Sequence, residues 1–87
     1  MKVLLLVTII TWSFSMDLGG NYRPPYVQIV STPEDAAIKI YHETKAAERE
    51  IEPDQKEYHL YEISFKGQPT IKEIPIPKVS FEFKDSL

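Results

Sequence analysis

There is no cysteine among the 87 residues, and this absence removes several chemistries at once. No disulfide can staple the chain, no thiolate can act as nucleophile or metal ligand, and no lipid can be attached through sulfur. Three glycines leave no Gly-rich loop of the kind that cradles a phosphate. Asn21 is the single asparagine, and Asn21-Tyr22-Arg23 is not a glycosylation acceptor. None of Ser31, Ser64, Ser80 or Ser86 lies in a G-x-S-x-G elbow.

Histidine is scarce too, with His42 and His59 alone. His42-Glu43 starts like the zinc-protease motif H-E-x-x-H, but Ala46 stands where the second imidazole belongs. His42 falls on the polar flank of a helical pattern and reads as solvated. His59 shares an alternating apolar face with Tyr61 and Ile63 and reads as a packed or rim histidine. A hydrolase or metal binder using His42 or His59 is therefore the minor alternative. No catalytic, cofactor-binding or metal-binding residue is assigned, and the chain is expected not to be an enzyme.

Charge of one sign is not concentrated anywhere. Ten Lys and Arg against thirteen Asp and Glu give a formal net charge of −3, with both signs mixed along the chain. Nucleic acid is excluded as a partner, because its recognition needs basic residues gathered on one face. The length allows one domain.

What is present begins with an apolar run. Lys2 is followed by Val3 to Trp12, in which only Thr8 and Thr11 are polar, and then by the small residues Ser13 and Ser15. A charged start, a short apolar stretch and small-x-small spacing together read as a secretory signal over residues 1–15, cut after Ser15 or nearer Gly19-Gly20. The 16 positions from Val3 to Leu18 include Asp17 and fall short of the roughly 20 apolar residues that span a bilayer. The expected compartment is therefore secreted or periplasmic. A chain keeping this segment as an uncleaved membrane anchor is the alternative, and only that segment would meet a membrane.

Residues 16–25, with Gly19-Gly20 and Pro24-Pro25, read as a linker. Residues 26–87 then read as one small α+β domain. Tyr26 to Val30 alternates as a short strand, with Val27 and Ile29 on one face. Thr32-Pro33-Glu34-Asp35 supplies an N-cap hydroxyl, proline at the first helical position and acids at the positive end of the dipole. The helix is expected from Pro33 to about Ile51, with a stripe of Ala37, Ile40, Tyr41, Thr44, Ala47 and Ile51 and an outer ladder Asp35-Lys39-Glu43. Strands follow over Glu57–Lys66, over Thr70–Ile76 with a bulge or break between Ile71 and Ile74, and over Val79-Phe81-Phe83. One amphipathic helix on a mostly antiparallel sheet, in the order β-α-β-β-β behind the signal segment, accounts for the pattern.

"YHLYEISFKGQPTIKEIPIP" resembles a single hairpin of a β-propeller blade, and only the hairpin is carried over. "QIVST" at Gln28 to Thr32 resembles the Q-x-V-x-G hairpin of cystatin-type inhibitors. Thr32 replaces the glycine and the motif precedes the helix, so no inhibitory role follows. The strand carrying Tyr58, Leu60, Tyr61 and Ile63 is apolar on both sides. Tyr58 and Leu60, with Tyr26, are the candidate partner surface of an exported, non-catalytic binding or accessory domain. The partner is expected to be a protein; the oligomeric state is open.

Overall fold

The structure, a computed structural model, describes residues 1–14, Gly19 and residues 23–78. Four antiparallel strands and one helix follow in the order β1 Lys2–Trp12, β2 Tyr26–Val30, α1 Pro33–Ala47, β3 Gln55–Ser64 and β4 Thr70–Ile74. The sheet order is β2-β1-β3-β4. β2 and β3 both run antiparallel to β1, so they are parallel to each other and the connection through α1 crosses over β1.

The opening run is one of the two inner strands of the sheet, not a segment ahead of it. β1 pairs with β2 from Leu4 to Thr8 and with β3 from Lys2 to Trp12. The observed order is therefore β-β-α-β-β. The physical reason is that a strand paired on both edges and apolar on both faces loses its polar alternation, and so reads as one continuous hydrophobic stretch. An export signal has the same composition. Residues 15–18 and 20–22 of the expected signal and linker lie outside the described residues, as does the expected strand at Val79, Phe81 and Phe83.

The helix covers one face of the sheet. Leu6 lies opposite Leu60 across β1 and β3, and Leu60 lies opposite Ile74 across β3 and β4. Leu6, Leu60 and Ala36 are fully buried together with Val30, with Leu4, Ile40, Tyr58, Ile74 and Ile76 packed around them. Ile71 and Ile74 face opposite ways in an unbroken register, so β4 carries no bulge in its pairing with β3. Pro75 and Pro77 follow the end of this edge strand, where a missing N–H costs no ladder bond.

The helix starts as its sequence dictates. Thr32 is extended, and its Oγ1 accepts from the Asp35 N–H at 3.0 Å. Asp35 reaches past the cap, its Oδ2 accepting from the Ser31 N–H at 3.0 Å and the Ser31 hydroxyl at 3.3 Å. These bonds and Lys39 at 3.8 Å hold its carboxyl below the usual range, with the Ser31 N–H the largest cause and partial desolvation opposing. The helix stops at Ala47, and Ile51 is 99% exposed. Its inward line is Ala36, Ile40 and Glu43, about one residue round from the expected stripe.

Candidate functional site

The two sides of the sheet differ in kind. On the helix side, β1 contributes Leu4, Leu6, Thr8 and Ile10, and β3 contributes Lys56, Tyr58, Leu60 and Glu62. β2 adds Tyr26, Gln28 and Val30 at registers matching Thr8, Leu6 and Leu4. At the end of this face nearest the C-terminus of α1, polar tips replace hydrocarbon, and they converge on a single carboxylate.

Glu43 is that carboxylate. Its Oε1 accepts from the Tyr26 hydroxyl at 3.0 Å and the Gln28 amide at 3.2 Å. Its Oε2 accepts from the Tyr58 hydroxyl at 3.2 Å and lies 3.9 Å from Lys56 Nζ. Partial burial first, and then the adjacent Glu43 charge, push the Tyr58 phenol up to about 12. Beside this cluster, Glu43, Thr44, Ala47, Pro53, Lys56 and Tyr58 line an open groove of about 300 Å³. Arg23 closes against Asp54 at 2.6 Å nearby. Both Glu43 oxygens are engaged by donors, so the residue pins helix to sheet. Beneath it, the buried Thr8 Oγ1 has no hydrogen-bond partner among the described residues.

The candidate partner residues all belong to this covered side. Leu60 is in the core, Tyr58 and Tyr26 bond to Glu43, and Val30 closes the same layer. The reason is parity: on a strand apolar on both faces, hydropathy does not say which face the helix takes.

The opposite face is the uncovered one. Val3, Leu5, Val7 and Ile9 of β1 alternate away from the helix, flanked by Tyr61 and Ile63 of β3 at matching registers. Val27 and Ile29 extend the row on β2, and Ile71 on β4. None of these nine side chains is buried; Ile29 is 75% exposed and Ile71 68%. No described element packs over them. At about 4.8 Å between strands and about 6.7 Å between same-face neighbours, the nine cover about 300 Å² in projection. That is the size of the largest apolar patch on a typical monomer, a patch that is often functional.

Three polar residues edge this face. His59 Nδ1 lies 3.0 Å from Glu73, its Nε2 lies 3.6 Å from Glu57, and its ring stacks on Tyr61 at 6.3 Å. The bond to Glu73 is the largest cause holding the His59 pKa above 6.5; desolvation, next in size, opposes it, and the Glu73 charge and the Glu57 bond and charge add to the rise. The carboxylates sit at opposite nitrogens of one ring and share no apex. Accordingly, no group of three metal-ligating side chains occurs among the described residues. His42 is exposed and meets Tyr41 edge-on at 5.6 Å.

Glu43 and the open face both escaped the sequence reading. Glu43 follows Ile40 by three and Ala36 by seven, a core-facing spacing, and four polar-tipped residues occupy the facing strand positions. That coincidence was the available signal. Comparison with protein-family models, with curated proteins and with solved structures finds no match to this chain.

Proposed function

We propose that this chain is a non-catalytic binding module that docks a partner on the open face of its sheet. The carrying observation is the contrast between faces: one sealed by α1, the other presenting nine apolar side chains with only His59, Glu57 and Glu73 among them. Support also comes from the engagement of the polar groups on the covered side, where Glu43 is used up in holding the helix.

Residues 1–15 stay on the working chain in this reading. Cutting after Ser15 would withdraw the strand that β2 and β3 both pair with, along with Leu6 from the core. The second reading, an exported or membrane-tethered accessory domain, is favoured by Lys2 and the apolar run that follows it. No helix among the described residues is long and apolar enough to cross a membrane.

Site-specific photo-cross-linking tests the docking face. Photoreactive residues at Ile29 and Ile71 are expected to give discrete adducts, and one at His42 on the exposed helix flank none. Equal yields from all three positions, or adducts from His42 alone, refute the assignment.

A further inference from the structure

We infer that the occupant of the open face is a second copy of this chain, packed sheet against sheet. This rests on the docking reading above and goes further by naming the partner. Two observations carry it.

The first is the size of the core. Only Leu6, Ile10, Val30, Ala36 and Leu60 are buried hydrophobics among the described residues. At 87 residues the chain stands just above the size below which small domains rely on staples such as oligomerisation. A face-to-face pair gives each copy a second apolar layer without adding residues, at the roughly 10 Å spacing of stacked sheets.

The second is self-complementarity. Nine apolar and three polar positions present about 400 Å² per copy in projection. Two faces together amount to about 800 Å² in projection, the scale of a weak, transient interface. The polar residues are off-centre, with Glu57 and His59 toward one end of β3 and Tyr61 and Ile63 toward the other. A two-fold axis between the faces and across the strands therefore sets Glu57 and His59 of each copy over Ile63 and Tyr61 of the other. Glu57 of the two copies then lies at opposite ends, while Glu73, level with Tyr61 on β4, comes to the level of the other copy's His59 one strand away; the interface is isologous, as closed dimers require.

Sedimentation of the full chain from ~5 to ~500 µM decides the question. The expected result is a shift from 10.1 kDa to twice that mass as concentration rises. The double variant Ile29→Lys and Ile71→Lys is expected to remain at 10.1 kDa with an unchanged circular dichroism spectrum. Each substitution is also made singly, so that one misfolded variant does not remove the test. A wild-type chain that stays monomeric throughout overturns the inference. So does a dimer that survives both substitutions. Hydroxyl-radical labelling of Tyr61 and Ile29 in a monomer then separates the two levels. Labelled residues leave the face open to a different partner and the docking reading stands, whereas protected residues mean the chain covers its own face and both fall.

Discussion

Replacing Glu43 by alanine removes the acceptor that joins three elements, and its cost follows from the geometry. Two phenols and one amide donate to it at 3.0–3.2 Å, and Lys56 lies 3.9 Å away. A hydrogen bond to a charged group contributes about 1.5–3 kcal/mol where water is excluded. The Glu43 side chain keeps 23% of its surface in solvent, which reduces each bond toward about 1 kcal/mol. The orphaned phenols can turn partly to water. Glu43→Ala should therefore destabilise the chain by about 2–4 kcal/mol, a large share of the 5–15 kcal/mol typical of a domain. Thermal unfolding would fall by roughly 4–8 °C for each kcal/mol.

Glu43→Gln keeps the shape but removes the charge, and a second readout follows from it. Burial, with a smaller effect of Tyr26, then raises the Tyr58 phenol, so its ionisation should drop from about 12 toward, but not to, the ordinary value of 10.0. Phenolate absorbance, assigned by difference against Tyr58→Phe, reports this. Because the folded state favours the neutral phenol, its contribution is complete below about pH 10 and disappears as pH rises through about 12. A Glu43→Ala chain within 0.5 kcal/mol of wild type, or Tyr58 unmoved in Glu43→Gln, would refute the reasoning.

Three further outcomes are expected. Thr8→Val removes a buried hydroxyl with no partner among the described residues and should raise stability by about 1 kcal/mol in urea unfolding; a loss would mean the hydroxyl is satisfied. Thr32→Ala should cost about 1 kcal/mol and Thr32→Asp much less, since either oxygen can accept from the Asp35 N–H. Glu73→Gln should lower the His59 pKa toward 6.5 in an NMR titration. The His59 contacts favour the imidazolium, so their contribution is full below about pH 6.5 and lost as pH rises through the raised folded value.

Local chemistry was legible and tertiary assignment was not. The Thr32 cap and the proline at the first helical position stand where sequence places them, and the β3–β4 hairpin forms with β3 shifted by two residues and β4 ending two residues early, because each depends on residues a few positions apart. β1 failed for the opposite reason. A strand paired on both sides carries no period, and nothing local separates it from an export signal of equal length and hydropathy. Tyr58, Leu60 and Tyr26 stand out in the sequence as apolar, but which face α1 covers depends on registers set by β1, which the sequence does not mark as part of the sheet. Glu43 reads as part of an outer charge ladder because hydropathy scores a carboxylate as solvent-facing. Only the donors on β2 and β3 make its inward position favourable.

The account stands on β1, and the most direct measurement is the folding of residues 16–87 expressed without it. With β2 and β3 left without the strand between them and Leu6 gone, this chain should lack a cooperative thermal transition and give collapsed amide NMR dispersion, while residues 1–87 show both. A fragment of residues 16–87 that melts cooperatively, with the amide pattern of the full chain, would contradict the account.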